Sequence, residues 1–371
     1  MSEVLVAIGA ARNIPADLYL DLGELHPTGH GAMQLALSVE NDIITSADPR
    51  IGFLHRSAEK LFEARDYRQL MMLANRHDWV SAFSSELSIA LVLEDAMGIL
   101  PPERATWSRM LLAEMNRVTA NLIMLGASSP RFAHLLTSRE ALLELLEQLT
   151  GSRIHPMFNR IGGIAAQCDL QWLESLHTAS QDLQRVVDEL PEQILEEFSP
   201  LANVGLVTSE QIHTYGLSGT MAWASGVAND LRVSATYLAY QDVQSLIPDA
   251  LGAGDIPTRF VLIAQHLVAS LHMMDSAINW LKDAGPGPIS VQLPKVVRAP
   301  ELTTYGAIEG PLGTMGVLLD SVGEKTPWRL KLRTPSFATI QSFESILVGV
   351  PLTALAPMLQ SCTFMVGDAD R

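Results

Sequence analysis

Between about residues 57 and 283 the apolar side chains recur at helical spacing with few breaks, which limits the chain to a fold built on a helical bundle. The spacing predicts helices at roughly 57–77, 79–99, 103–125, 138–150, 170–198 and 257–283. In the third, Trp107, Met110, Leu111, Met115, Val118, Leu122 and Leu125 make one apolar stripe. Pro101–Pro102 suits a helix start, and Gly285-Pro286-Gly287-Pro288 ends the last long helix. Outside this run the period changes to two. Leu18, Leu20 and Leu22, then Leu35, Leu37 and Val39, read as two strands flanking the loop Glu24–Gly31. Met315–Asp320 and Trp328–Arg333 read as short strands before a final apolar helical stretch with prolines. The expected fold is α+β, a mostly helical bundle with short strands at both ends. Its regions are an N-terminal β region (1–50), a helical core (51–285) and a C-terminal β/helical region (286–371), all within one integrated domain.

Composition narrows the function classes. The 371 residues are 48% hydrophobic and 18% charged, which suits a sizeable buried core and excludes a disordered tail. Set against 41 Asp and Glu, the 25 Lys and Arg leave a net charge of −16 with no basic block, which excludes nucleic acid as a partner. Met1–Ala11 lacks a basic segment ahead of its apolar stretch, and Ile346–Met358 is short and holds Pro351 and Pro357. Neither a secretory signal nor a spanning segment is expected. Cys168 and Cys362 alone cannot ligate an iron–sulfur cluster or a structural zinc. The chain reads as a protein of a reducing cytoplasm, with some apolar faces serving as interfaces.

Five compact clusters can carry chemistry. Glu24-Leu25-His26-Pro27-Thr28-Gly29-His30-Gly31 places two histidines on a glycine-rich loop, able to bind metal, move protons or hydrogen-bond a ligand; equally, they can satisfy a turn. Arg50–Arg56 with Glu59-Lys60 is a site or a solvated helix start. Asn75-Arg76-His77-Asp78-Trp79 is a site or a helix capped by Asp78 with Trp79 in the core. His155-Pro156 with Asn159–Gly163, and Ser225–Val227 with Asp230 and Arg232, are further turns. No P-loop, Gly-x-Gly-x-x-Gly, His-Glu-x-x-His or Gly-x-Ser-x-Gly is present.

In order and spacing these clusters resemble the D-subunit family of the proton-pumping NADH–quinone oxidoreductase (respiratory complex I), itself related to nickel–iron hydrogenase large subunits. The matching residues are His26–Gly31, Ile51–Arg56 with Glu59-Lys60, Arg76 with Asp78, Pro102–Ala105, and Leu112–Arg117. They continue with Thr150–Arg153, His155-Pro156, Arg160–Gly163, Ala224–Val227, Asp230–Arg232, Thr334–Phe337 and Gly367–Arg371.

The resemblance implies a peripheral protein of the complex at the cytoplasmic face of the plasma membrane, with no redox centre of its own and inactive in isolation. It implies packing against a small iron–sulfur subunit that carries a [4Fe–4S] cluster, beside other peripheral-arm subunits and a quinone-channel membrane subunit. NAD is bound elsewhere in the complex, and quinone is the substrate. The catalytic family histidine falls on His30; His26, Arg76, Asp78 and Trp79 fall at the quinone site, and His155 and Arg160 face the cluster. No metal is expected, since the hydrogenase cysteines have no counterpart, which argues against hydrogen chemistry.

The chain also departs from the family pattern. Trp79 stands where the family has a tyrosine. The loop after Gly126 is shorter and lacks the aspartate that pairs with the quinone-site histidine. Leu312 and Thr314 replace arginine and glutamate, and Thr363-Phe364 replaces Asp-Pro. Two alternatives follow: a non-catalytic paralogue acting as a scaffold or assembly subunit, or a member of a related complex with a donor other than NADH.

Overall fold

In a computed structural model, residues 2–8, 18–21 and 33–371 are described. The chain opens with β1 (Ser2–Ile8), β2 (Leu18–Asp21), β3 (Met33–Glu40) and β4 (Ile43–Arg50), joined in the order β2-β1-β3-β4 with only the β1–β2 pair parallel. Helices α1 (Ala58–Glu63), α2 (Leu70–Ala74), α3 (Ala82–Met97), α4 (Glu103–Gly126) and α5 (Leu135–Thr150) follow. A tight hairpin, β5 (Asn159–Arg160) and β6 (Gly163–Ile164), leads into α6 (Leu170–Val187) and α7 (Leu190–Phe198). Short helices α8 (Ser209–Tyr215), α9 (Thr220–Ala224) and α10 (Leu231–Ser234) precede α11 (Ile256–Asp283). The antiparallel sheet β7 (Leu302–Gly310), β8 (Gly313–Ser321) and β9 (Arg329–Arg333) comes next, and α12 (Pro335–Ile346), α13 (Leu355–Ser361) and α14 (Val366–Asp370) close the chain.

The class is α+β, as the periodicity predicts. The core forms where α4 lies along α11, flanked by α5, α6 and α7. In α4 the predicted stripe is buried throughout, and Trp107 stacks on Trp280 of α11 with centroids 5.0 Å apart. By length and composition α11 could cross a bilayer, which the sequence reading does not anticipate, yet 67% of its apolar window is buried inside the bundle.

The differences from the predicted elements have local causes. The 57–77 segment breaks after Glu63 because Phe62, Tyr67, Leu70 and Met71 turn to bury against β8 and β9. The 170–198 segment breaks at Asp188–Glu189, where Pro191 starts a new helix and cannot continue the old one. Strand β7 is not predicted because its alternation is weak. Its Gly306 is required where α3 presses on the sheet, since a Cβ there would lie 2.7 Å from Val92 Cγ2. Edge strand β4 is polar and ends in Pro49-Arg50, so it carries no period-two signal.

Buried ion pairs fix the loops to the bundle. On α3, Glu94 takes two hydrogen bonds from Arg109 of α4 (2.7 and 2.8 Å) and one from Gly162 N (2.6 Å), while Arg109 also reaches the carbonyls of Arg160 and Gly163. Two turns earlier Glu86 accepts from Asn75 and from the backbone of Phe158 and Asn159. The 153–164 segment is thereby pinned against residues 75–94. Gly163 lies so close to the chain at Ile289 that a Cβ would sit 2.0 Å from that carbonyl oxygen. A second network joins Glu114, Arg117, Asp230, Arg232, Tyr240 and Ser270, and Arg117 donates to the carbonyls of Glu309 and Gly310 at the β7–β8 turn. The motif residues at 114, 117, 230 and 232 therefore hold the bundle together.

Removing one partner of such a pair strands a buried charge, a loss of about 3–5 kcal/mol. Glu94→Ala is expected to lower the melting temperature markedly and to raise hydrogen exchange in residues 159–164. An unchanged melting temperature would show that the pair contributes nothing.

Candidate functional site

The final residues of the chain build one wall of the site. Asp370 accepts hydrogen bonds from Gly52 N (2.7 Å) and Leu54 N (2.8 Å), and its carbonyl meets His55 Nδ1 at 2.8 Å. Ser336 N donates to Asp368 Oδ2 (3.1 Å) while Ser336 Oγ accepts from Met365 N (3.0 Å), so α12 seats α14. Gly367 lies against His77, where a Cβ would come within 2.6 Å of the carbonyl oxygen. Three motifs that are distant in sequence, 51–56, 76–79 and 367–371, thus converge.

Between them lies a cavity of about 240 Å³ lined by Leu54, Arg56, Ala58, Arg76, His77, Trp79, Met365, Gly367 and Arg371. It gathers three arginines and an indole on a chain of net charge −16. Arg56 donates to the carbonyl of Arg76 at 3.1 Å, and Arg371 is held by Glu59 at 3.2 Å and lies 5.3 Å from the Phe337 ring centroid. Trp79 is half-buried and also walls a smaller recess with Phe83, Leu112, Met115 and Pro156. Leu312 is buried beside it in an apolar cluster with Val80, Ala120, Met124 and Met365.

Of the expected site residues, Arg76 and Trp79 line the cavity, and Asp78 is buried behind it with Oδ1 accepting from Val80 N (3.1 Å) and Ser81 N (3.0 Å). That bonding orders the turn ahead of α3, but the helix begins at Ala82 with Ser81 as its N-cap, so Asp78 is not the cap and Trp79 is only half-buried. His155 is half-buried beside Arg76; burial first and that cation second lower its pKa. Arg160 is exposed and donates to the carbonyls of Met157 (2.6 Å) and Asn159 (2.9 Å), and Arg76 contacts the Met157 sulfur. The 155–160 segment therefore adjoins the cavity. His26 and His30 lie outside the described residues. Among the described residues no group of three His, Cys, Asp or Glu could hold a metal ion.

Sequence reasoning places His77, Asp368 and Arg371 in motifs but assigns them no place in the site. His77 Nε2 lies 3.6 Å from Asp368 Oδ1, with both side chains buried. Burial, then the cations Arg371 and Arg56, lower the His77 pKa to about 4. Burial, then the neighbouring Asp78 charge, raise that of Asp368 to about 8, and Asp78 is itself raised to about 6, mainly by burial.

The linkage signs differ. Between pH 4 and 6.5 the unfolded chain binds the His77 proton more readily, so that share of stability is present above pH 6.5 and lost as pH falls toward 4. Asp368 keeps its proton in the fold, so its share is full below about pH 4 and is lost as pH rises to about 8. His77→Gln should flatten the acid limb of a melting-temperature profile, and Asp368→Asn should raise the melting temperature at pH 8. A profile unaltered by either variant would contradict these assignments.

A family model described as "Respiratory-chain NADH dehydrogenase, 49 Kd subunit" matches residues 125–302 and 291–371. The D 2 subunit of NADH-quinone oxidoreductase from Salinispora arenicola is 41% identical over 382 aligned positions, covering 100% of this chain and 98% of its own length. The D 1 subunit of the Streptomyces coelicolor enzyme is 41% identical over 381 positions, covering 100% and 99%. The D subunit from Geobacillus thermodenitrificans is 31% identical over 364 positions, covering 95% and 98%. The chain belongs to the family of NADH–quinone oxidoreductase D subunits, a complex I family with the fold of hydrogenase large subunits.

Proposed function

We propose that this chain forms the quinone-headgroup site of a membrane-associated NADH–quinone oxidoreductase, together with a small subunit bearing a [4Fe–4S] cluster. The observation that carries the reading is the cavity between Trp79, His77 and the three arginines, adjoining the 155–160 segment. Small-molecule pockets usually measure roughly 300–1,000 Å³. This one, at about 240 Å³, suits a ring headgroup whose tail lies against a partner.

The roles follow from side-chain chemistry. Trp79 supplies a flat apolar face, backed by the buried Leu312, where the family pattern has a phenol and a cation. Arg56, Arg76 and Arg371 favour the negative charge that develops on a quinone as electrons arrive. His30 donates a hydrogen bond and a proton to one carbonyl, with His26 four residues before it in the same motif. His155 and Arg160 meet the cluster-bearing partner, where a cation stabilises reduced cluster charge. NAD and the cluster reside in partner subunits, so the isolated chain is inactive and works at the cytoplasmic face of the plasma membrane. There it contacts the other peripheral-arm subunits and the quinone-channel membrane subunit.

The buried Leu312 beside Trp79 favours a second reading, a scaffold whose headgroup site has been filled with apolar side chains. Quinone reductase turnover of the affinity-purified complex separates the two. Wild type is expected to turn over, and His30→Ala to lose about a hundredfold while the complex still assembles. Equal turnover in both would remove His30 from the mechanism, and an assembled wild-type complex inert toward quinone would make the chain a scaffold.

A further inference from the structure

The C-terminal sheet buries only one of its two faces. Val317, Leu319, Leu330 and Leu332 pack inward in the cluster that holds Ile89 and Val92 of α3. The alternate residues line up in rows on the opposite face, with Tyr305, Leu318 and Lys331 paired across the three strands and Thr303, Asp320 and Arg329 in the next row. Of these, Thr303, Tyr305, Arg329 and Lys331 are exposed and Leu318 and Asp320 half-buried. Tyr305, 57% exposed, lies across Gly316, where a Cβ would meet its hydroxyl at 2.4 Å, so the ring runs along the sheet. Trp328, just ahead of β9, is 66% exposed.

Two cations of this face lack a carboxylate, although the chain has 41 acidic residues against 25 Lys and Arg. Around them, Arg298 is paired with Glu324 (3.1 Å), Lys325 with Asp66 (3.6 Å) and Lys60 with Glu63. Among the described residues neither Arg329 nor Lys331 enters an ion pair. Acids beside Arg329 are already engaged. Asp320, opposite it on β8, accepts from Thr303 Oγ1 at 3.1 Å. Glu59, which lines a groove with Arg329, accepts from Leu332 N (2.9 Å) and Arg371 (3.2 Å). Charged side chains on an edge strand discourage strand pairing, but that role calls for no exposed Trp328 and Tyr305 beside them.

We propose that this face docks an acidic segment of a partner polypeptide, whose carboxylates pair with Arg329 and Lys331 while its apolar side chains cover Leu318, Tyr305 and Trp328. Two residues apart on one strand, Arg329 and Lys331 are separated by about 7 Å. Carboxylates on successive turns of a helix, about 5–6 Å apart at Cβ, reach both. An anionic membrane surface fits less well, because juxtamembrane basic clusters hold about 4–8 Lys and Arg. Here Asp320 and Glu324 interrupt the patch. The inference stands on the surface itself and is independent of the quinone reading.

A water-soluble carbodiimide, which joins an amine to a carboxylate in direct contact, tests this on the affinity-purified native complex, with the coupled peptides read by mass spectrometry. Lys331 is expected to couple to an Asp or Glu of another subunit. That product should vanish in Lys331→Arg, which keeps the charge and loses the amine. The coupled subunit should dissociate at least about tenfold faster from the double variant Arg329→Glu/Lys331→Glu. Coupling of Lys331 to acids of this chain alone, within one copy or between two, would overturn the proposal, as would no coupling at all. Binding of phosphatidylglycerol vesicles that the double variant abolishes, with no subunit coupled, would assign the face to lipid and overturn it too. Should the double variant not assemble, the wild-type coupling decides by itself.

Discussion

The two hydrogen bonds from Gly52 N and Leu54 N to the Asp370 carboxylate hold the site together. They join the start of the helical region to the end of the chain across 318 and 316 residues of sequence. Because Asp370 is bound there, Arg371 and Arg56 share one cavity, Gly367 lies against His77, and Asp368 comes within 3.6 Å of its imidazole. The supporting frame is apolar, with α4 and α11 carrying the core, but charged pairs set its register. Arg109–Glu94 holds the hairpin and Arg117 the β7–β8 turn.

Charge is unevenly used in this molecule. Acidic groups dominate the chain, yet the cavity gathers arginines, and the buried acids nearby sit where burial favours their neutral forms. Trp79 packs against the apolar cluster that holds Leu312, Val80 and Met365. The cavity therefore sets one apolar wall beside its three arginines.

Helix existence was legible in the sequence wherever a stripe was long and unbroken, as in α4 and α11, because burial on one face dictates the spacing. Boundaries were less so. The breaks after Glu63 and near Pro191 depend on packing against elements that lie far away in sequence or on one missing N–H. Strands β4 and β7 carry little alternation, so nothing local announced them. For the site, the family resemblance pointed to Arg76, Asp78 and Trp79; Arg76 and Trp79 line the cavity, and Asp78 is buried behind it. His77 and Asp368 were not assigned, because their significance lies in a contact between residues 291 positions apart (368 − 77) that no local pattern encodes.

The central claim is that the cavity beside Trp79 receives a quinone ring. A cryo-EM structure of the assembled complex with a short-chain quinone bound tests it most directly. Ring density is expected against the Trp79 indole, beside Arg56, Arg76 and Arg371. A partner side chain filling that cavity, with the quinone elsewhere, would contradict it.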